Sequence, residues 1–380
     1  MGNPLIEMLE TKKKLLERIE GLLSDRERLE ALKDHHAHRK PRPCGMTIHT
    51  GIGCPLKCTY CYIRDMGFPW TIEPYPLSPL QLVYALLKNP YFIPGERGSF
   101  IAIGSVTEPF LEIVKEKTMA YIEAIARYLG NPIQFSTKMY LDIEDAYRLK
   151  KVDPGISPLV TIVTLKHYDR LELHAPPPSR RFETIENLSK AGLKPVLFYR
   201  PVIPCINYSE YRDIIDKAIE YEVKAVVVGG FRVTENILHR LMEKGFNIEC
   251  IIKRLHGRLG GSRQVGVRTS DLKKNIISYA REKGVVALPL ACTANLYTHG
   301  WRCRVMESYG VYEGVEPPKI DYSVIEETSY YLGVRVREIK VFNERICIYG
   351  YGSREKLFLL GELVKYYYRV CVETRFAKKT

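Results

Sequence analysis

Residues 51–62 read GIGCPLKCTYCY and place three cysteines, Cys54, Cys58 and Cys61, within one short stretch. Spacings of three and then two residues let a single loop aim three thiolates at one centre. An iron–sulfur cube has four irons, so a loop that supplies three sulfurs leaves one iron without a protein ligand. That open iron is a place for chemistry. Zinc competes for the same residues, since a Cys3His site would recruit His49 or the HHAH tract at 35–38, and catalytic zinc also keeps one position open. Three buried, unligated cysteines are the plainest alternative, yet such clustering gains nothing for packing. The CxxxCxxC spacing, with the aromatic Tyr60 before the third cysteine, favours the cluster.

The loop follows a β-branched run, MTIHT (46–50), and similar runs recur: SFIAIG (99–104), PIQFST (132–137), LVTIVT (159–164), PVLFYR (195–200) and AVVVGG (225–230). Amphipathic stretches near 78–88, 111–129, 142–150, 179–191, 209–221 and 234–244 alternate with them, which is the pattern of a parallel sheet with crossover helices. Six such units predict an open, partial barrel or a doubly wound sheet, with ligands at the C-terminal ends of the strands. The three cysteines fall on that face.

Four segments are expected along the chain: 1–45, 46–245, 246–317 and 318–380. In the first, Leu5, Met8, Leu9, Leu15, Leu16, Ile19, Leu22 and Leu23 recur at helical spacing, and the Pro-rich RKPRPCG (39–45) ends the helical region. The second holds the six βα units. The third opens with KRLHGRLGGSRQVGVR (253–268), in which Lys253, Arg254, Arg258, Arg263 and Arg268 occur without an acid, followed by a helix (270–283) and a strand (285–290). The fourth reads helix, hairpin, helix, strand (321–331, 334–341, 345–349, 353–366, 368–375), a small α+β appendage.

Length, 46% hydrophobic content and 27% charge describe a globular chain of 380 residues with a large core. No apolar run reaches the roughly 20 residues that span a bilayer, and no signal-peptide pattern opens the chain, so a cytoplasmic location without membrane contact is expected. Ten cysteines spread over such a chain argue for thiols or metal ligation, with structural disulfides not expected. The net charge of +13 favours anionic partners such as nucleic acid or phosphorylated metabolites. Few Gln beside many charged residues lean toward an archaeal or thermophilic source.

The cluster loop resembles the signature of the radical S-adenosylmethionine superfamily. That resemblance implies a partial (β/α)6 TIM-like barrel, with the helical extension and appendage outside it. It also implies a [4Fe–4S] cluster on Cys54, Cys58 and Cys61 whose open iron chelates S-adenosylmethionine. An external donor such as ferredoxin or flavodoxin would supply one electron, the sulfonium would be cleaved, and a 5′-deoxyadenosyl radical would abstract hydrogen from the substrate. The hard chemistry would belong to cluster and nucleoside.

Within the superfamily the chain is most similar to the spore photoproduct lyase group, also described as DNA repair photolyase-like. RPCGMTIHTGIGCPLKCTYCY (42–62), GSVTEPF (104–110), FSTK (135–138), HAPPPSRRFETIENLSKAG (174–192) and RPVIPCIN (200–207) carry the likeness. By it, Tyr60, Thr107, Glu108, Lys138, Arg181 and Pro204 line the cofactor pocket, with Thr107 and Lys138 on the methionyl part and Glu108 toward its amino group. A Lys at a strand end suits a carboxylate and a hydroxyl suits an ammonium or ribose. Tyr62 and Cys205 are the candidates nearest the radical. The chain departs from the lyases at Ser105, where they carry a hydrogen-donating cysteine, so thymine-dimer repair by that route is not expected.

Weaker signals remain. Cys292, His299 and Cys303 in ACTANLYTHGWRC would suit a second cluster or metal, joined by Cys250 or Cys347. DHHAHRK (34–40) reads as a solvated tract that is also able to bind metal. Segment 253–268 suits a phosphate chain or a solvated loop. Tyr and Arg interleaved in the appendage suit either single-stranded nucleic acid or a core. The expected function is radical S-adenosylmethionine chemistry on a nucleic acid, DNA or RNA, in modification or repair. Two alternatives stay open: the same chemistry on a small molecule or peptide, and a nucleic-acid-binding protein with a structural metal or cluster.

Overall fold

Ala225–Val228, AVVV, is buried at every position, and a strand buried on both faces can pair on both edges only inside a sheet covered by helices. In the computed structural model, which describes residues 2–42, 44–342 and 345–377, it does so. Pro43 of the Pro-rich connector and the last three positions of the appendage lie outside the described residues.

Seven strands form one parallel sheet: β1 (Gly45–Ile48), β2 (Phe100–Ile103), β3 (Ile133–Thr137), β4 (Ser157–Thr161), β5 (Val196–Tyr199), β6 (Ala225–Val228) and β7 (Val286–Leu288). Each pairs with the next in sequence, so β1 and β7 are free edges and the barrel stays open. The seventh strand revises the expected organisation. Residues 286–288 lie in the segment expected to extend beyond the core, yet Val286, Ala287 and Leu288 register with Ala225, Val226 and Val227. Their short apolar run, too brief to announce a partner, completes the burial of β6.

Helices α1 (Pro4–Glu20), α2 (Asp25–Lys33), α3 (Pro79–Lys88), α4 (Glu112–Tyr128), α5 (Ile143–Val152), α6 (Pro178–Lys190), α7 (Tyr211–Glu220), α8 (Glu235–Glu243), α9 (Ser270–Glu282) and α10 (Ala291–Thr298) surround the sheet. Their starts are written locally: Ser24 and Ser78 each close a capping box, with Glu27 and Gln81, and Pro4, Pro79 and Pro178 sit in first turns where no N–H is needed. Among the described residues no helix is long and apolar enough to cross a membrane.

The C-terminal part builds its own three-stranded sheet from β8 (Arg335–Phe342), β9 (Arg345–Tyr351) and β10 (Cys371–Phe376), with α11 (Tyr322–Tyr331) and α12 (Arg354–Tyr367) over it. Its core gathers Ile325, Ile346, Ile348, Leu360, Leu363, Tyr366 and Tyr368, so part of the aromatic content is packing, while Tyr330 and Tyr331 are exposed. Leu5 of α1 is buried in this same core, whereas Ile19 at the other end of α1 is buried in the main one. Asn3, which caps α1, donates from Nδ2 to the Val324 carbonyl at 3.0 Å.

One expectation about cysteine is overturned. Cys205 and Cys250 form a disulfide across 45 residues. Cys205 sits exposed in a turn with φ of 60°, and its sulfur faces the short helix Glu249–Ile252. A sulfur already bonded to sulfur has no S–H to give, so Cys205 is not a hydrogen donor in this form, and Cys250 is not a metal ligand.

Candidate active site

The polypeptide leaves β1 and turns back through the cysteine loop at the C-terminal edge of the sheet. Gly53 has φ of +85°, and a Cβ there would stand 2.2 Å from the Thr71 carbonyl, so only glycine allows the turn. The loop is then fastened on several sides. The Cys54 N–H donates to Pro69 O at 3.2 Å, Thr59 N–H to Leu171 O at 2.8 Å, and the Thr59 hydroxyl to Arg170 O at 2.6 Å. Arg240 on α8 donates to the carbonyls of Thr59 (3.1 Å) and Cys61 (2.7 Å). Asp65, beyond the loop, receives Thr234 and Asn236 at 2.8 Å each.

The loop carries three reduced sulfurs, Cys58 buried and Cys54 and Cys61 half-buried. Burial raises all three thiol pKa values, and the mutual charge of the cysteines raises Cys54 and Cys58 further, while Lys138 beside Cys58 and Cys61 pulls those two the other way. Metal ligation would remove the burial cost by replacing each proton. Among the described residues the only three or more His, Cys, Asp or Glu ligand atoms lying within 4.8 Å of one another are those of His35, His36 and His49. The three sulfurs are therefore set wider, as a group, than the about 3.8 Å separations that a tetrahedral zinc imposes. A three-sulfur, wide-set and cation-flanked loop fits an iron–sulfur cube better than one zinc.

Four of the expected site residues converge, and they do so on a residue the sequence did not single out. Glu172 lies between a helical turn (Tyr168–Leu171) and α6, and its backbone bridges to Cys58. Its Oε1 accepts the Tyr60 hydroxyl and stands 4.0 Å from Lys138 Nζ, while its Oε2 accepts Arg181 Nη1. Arg181 is fully buried and also donates to Pro176 O (2.8 Å) and Thr161 O (3.1 Å); its Nη2 has no hydrogen-bond partner among the described residues. Burial opposes the charge of Lys138 and Arg181, but Cys58 and Glu172 outweigh it and hold both above their ordinary values. No spacing pattern announces Glu172. It is one acid in an irregular stretch.

Other candidates are placed differently from the roles the resemblance implies. The Thr107 hydroxyl lies 2.7 Å from Gly51 O and 3.0 Å from Gly53 O, so it braces the cluster loop. Glu108 is buried and receives the Thr137 hydroxyl (2.5 Å) and the Lys138 N–H (2.9 Å), which fixes the end of β3; burial raises its pKa despite these bonds. The half-buried Tyr62 has its hydroxyl 3.5 Å from Ser105 O. Pro204 is buried beside the disulfide at Cys205.

Two further features flank the loop. A cavity of about 720 Å³, lined by Arg64, Asn236, His239, Arg240, Glu243 and Ser262 among others, opens where the chain leaves the cysteines. On the other side the polar tract at 34–40 proves not to be a solvated connector. His36 is fully buried with Nδ1 2.6 Å from Asp34, and His35 stacks on His49 with centroids 5.1 Å apart. His49 is thus gathered with the other histidines.

Residues 48–218 match the sequence profile of the Radical SAM superfamily. No curated protein matches the chain. A solved spore photoproduct lyase mutant with bound AdoMet and dinucleoside spore photoproduct is similar with a TM-score of 0.54 at 13% identity, over 74% of this chain and 95% of that one. A second spore photoproduct lyase mutant gives a TM-score of 0.53 at 14% identity, over 66% and 78%. At such identities the likeness is one of fold.

Proposed function

We propose that this chain, whose residues 48–218 match the Radical SAM superfamily, is an enzyme that abstracts hydrogen from a nucleic-acid substrate held beside the cysteine loop. The cofactors are a [4Fe–4S] cluster and S-adenosylmethionine, which Cys54, Cys58 and Cys61 and the C-terminal face of the sheet would hold. When bound, the cluster supplies the electron, drawn from a partner of the ferredoxin or flavodoxin kind, that breaks a sulfonium carbon–sulfur bond of S-adenosylmethionine.

The residues of this chain position and shield. Lys138, aligned over Tyr60 with Nζ 5.8 Å from the ring centroid, offers a cation at a strand end where a methionyl carboxylate would sit. Glu172 holds that lysine and Arg181 in place, and Thr107 and Arg240 tie down the loop from its two sides. Tyr62 closes the loop against the Ser105 backbone.

The observation that carries the nucleic-acid reading is the cavity at the loop exit. Arg64 and Arg240 line it with His239, Asp65 and Glu243 are the opposing charges, and Ser262 brings the basic segment to its rim; Arg258 and Arg263 of that segment are exposed. The net charge of +13 agrees with a polyanionic partner. A dinucleoside ligand on the same fold in a spore photoproduct lyase adds support.

Anaerobically reconstituted protein, reduced with dithionite, is expected to give a paramagnetic signal that shifts with S-adenosylmethionine and to release 5′-deoxyadenosine, lost on Cys58→Ala. Single-stranded oligonucleotides are expected to bind, with affinity falling as salt rises. A cluster indifferent to S-adenosylmethionine would overturn the cofactor assignment. Absence of oligonucleotide affinity at moderate salt would move the substrate to a small molecule or peptide.

A further inference from the structure

Four reduced cysteines, brought from four distant stretches of chain, meet at the end of β1 opposite the cysteine loop. Cys44 immediately precedes β1, and its carbonyl accepts the Phe100 N–H at 3.2 Å. Cys292 lies in the first turn of α10, beside Ala291, whose carbonyl receives the Gln134 amide at 2.6 Å, and Asn295 of the same helix reaches Pro132 O at 3.1 Å. Helix α10 is thereby seated at the start of β3. Cys303 caps the short helix Arg304–Ser308, and the Arg304 N–H donates to Arg369 O at 3.1 Å, two residues before Cys371 opens β10.

Cys44, Cys292 and Cys303 pack against one apolar group that includes Phe100, Leu159 and Val196. The thiols also feel one another. The Cys44 and Cys292 thiols are in side-chain contact, and Cys303 and Cys371 stand within electrostatic reach of them. The sulfurs at 44, 292, 303 and 371 therefore share one small volume.

A cation stands beside them. Arg369 is buried, its Nη groups donate to Glu96 O (2.6 Å) and Gly98 O (3.4 Å), and its guanidinium lies 4.7 Å from the Phe100 centroid, while Nε is buried without a hydrogen-bond partner among the described residues. Cys44 and Cys303 are among the charges acting on it. A buried guanidinium with an unmet N–H calls for an anionic centre. Four thiolates around a metal–sulfide core are one.

No three of these sulfurs lie within 4.8 Å of one another among the described residues. One zinc would hold all four at about 3.8 Å, whereas a cube spreads its cysteines over four corners. We propose that Cys44, Cys292, Cys303 and Cys371 ligate a second [4Fe–4S] cluster, one whose irons are all held by the protein. With no open iron it does not chelate S-adenosylmethionine. It clasps the approach to β1, helix α10 and the C-terminal sheet together. The expected companions of Cys292 and Cys303 are revised accordingly: Cys250 is in the disulfide, Cys347 lies 3.8 Å from Glu373, and His299 pairs with Asp153 at 3.2 Å.

Iron and sulfide content of the full chain, anaerobically reconstituted, tests this independently of the reaction assigned to the barrel. The parent is expected to hold about eight irons, and the Cys54→Ala, Cys58→Ala, Cys61→Ala triple variant about four, with a reduced-state signal that S-adenosylmethionine leaves unchanged. Adding Cys303→Ala to the triple variant is expected to remove the remaining iron. A parent with only about four irons, a triple variant with none, a zinc ion in their place, or a Cys44–Cys292 disulfide found by mass would each overturn the second cluster. The parent count decides even where a variant fails to fold.

Discussion

Glu172 and Arg181 form an ion pair in which neither side chain reaches solvent. Removing one partner of a buried pair leaves an uncompensated charge, which costs about 3–5 kcal/mol. Glu172→Gln also leaves Lys138 without its counter-charge and weakens the acceptor of the Tyr60 hydroxyl. The unfolding free energy from urea titration is expected to fall by that amount and the midpoint with it, with lower iron retention at the cysteine loop. A midpoint unchanged within error would show that the pair does not hold this region.

Thr107 separates two roles. If its hydroxyl braces the loop through Gly51 and Gly53, Thr107→Val loses about 1–3 kcal/mol of stability and sheds iron, and Thr107→Ser restores both. If instead the hydroxyl serves the cofactor, stability holds and the KM for S-adenosylmethionine rises. Denaturation and steady-state kinetics on the same three proteins decide between them.

The disulfide closes a loop of 45 residues, for which lost unfolded-state entropy predicts about 2–4 kcal/mol. Reductant is expected to lower Tm in the parent and to leave a Cys205→Ser, Cys250→Ser protein unchanged. Formation of 5′-deoxyadenosine is expected to survive in that protein. Its disappearance would return Cys205 to the catalytic set.

Acid acts through the histidine group. Burial, more than any neighbour, pulls His35 down to about 4 and His49 to about 3, with His36 and then Arg39 adding to it. Each imidazole has an unfolded value near 6.5, so the unfolded chain takes up protons below pH 6.5 that the folded chain refuses. The stability is complete above about pH 6.5 and falls as pH drops toward 4 and then 3, by about 1.4 kcal/mol per pH unit at most for His49. His35 contributes less, its side chain being 43% exposed. Urea midpoints between pH 7.5 and 5 are expected to decline, and His49→Asn is expected to flatten the slope.

Charge at the cavity rim is expected to read out as a salt slope. Arg258→Ala with Arg263→Ala removes two exposed cations, and each phosphate that the protein ceases to neutralise lowers the log–log salt slope by about 0.7 for single strands. Fluorescence anisotropy on a single-stranded oligonucleotide across a salt series measures it. An identical slope would place the nucleic acid elsewhere on the surface.

What the sequence reveals follows from how local each signal is. The six β-branched runs and the cysteine loop are contiguous, so period and spacing expose them, and the observed strands fall in or beside the expected stretches. Glu172, by contrast, acquires meaning only when Tyr60, Lys138 and Arg181 arrive from three other elements. The same holds for Cys44, Cys292, Cys303 and Cys371, whose separations match no ligand pattern, and for His49 beside His35 and His36. Val286–Leu288 is too short to declare whether it belongs to the sheet. Thr107 and Glu108 are legible as positions, but whether a hydroxyl meets a cofactor or a carbonyl is decided by packing.

Helix α1 has one end in each core, with Leu5 against Ile325 and its neighbours and Ile19 among the barrel residues. Because translation is vectorial, α11 and α12 leave the ribosome long after α1. Until α11 and α12 are made, Leu5, Met8 and Leu9 lack most of the core that covers them, Ile93 excepted. The nascent protein thus carries a partly covered apolar stripe until the C-terminal sheet docks.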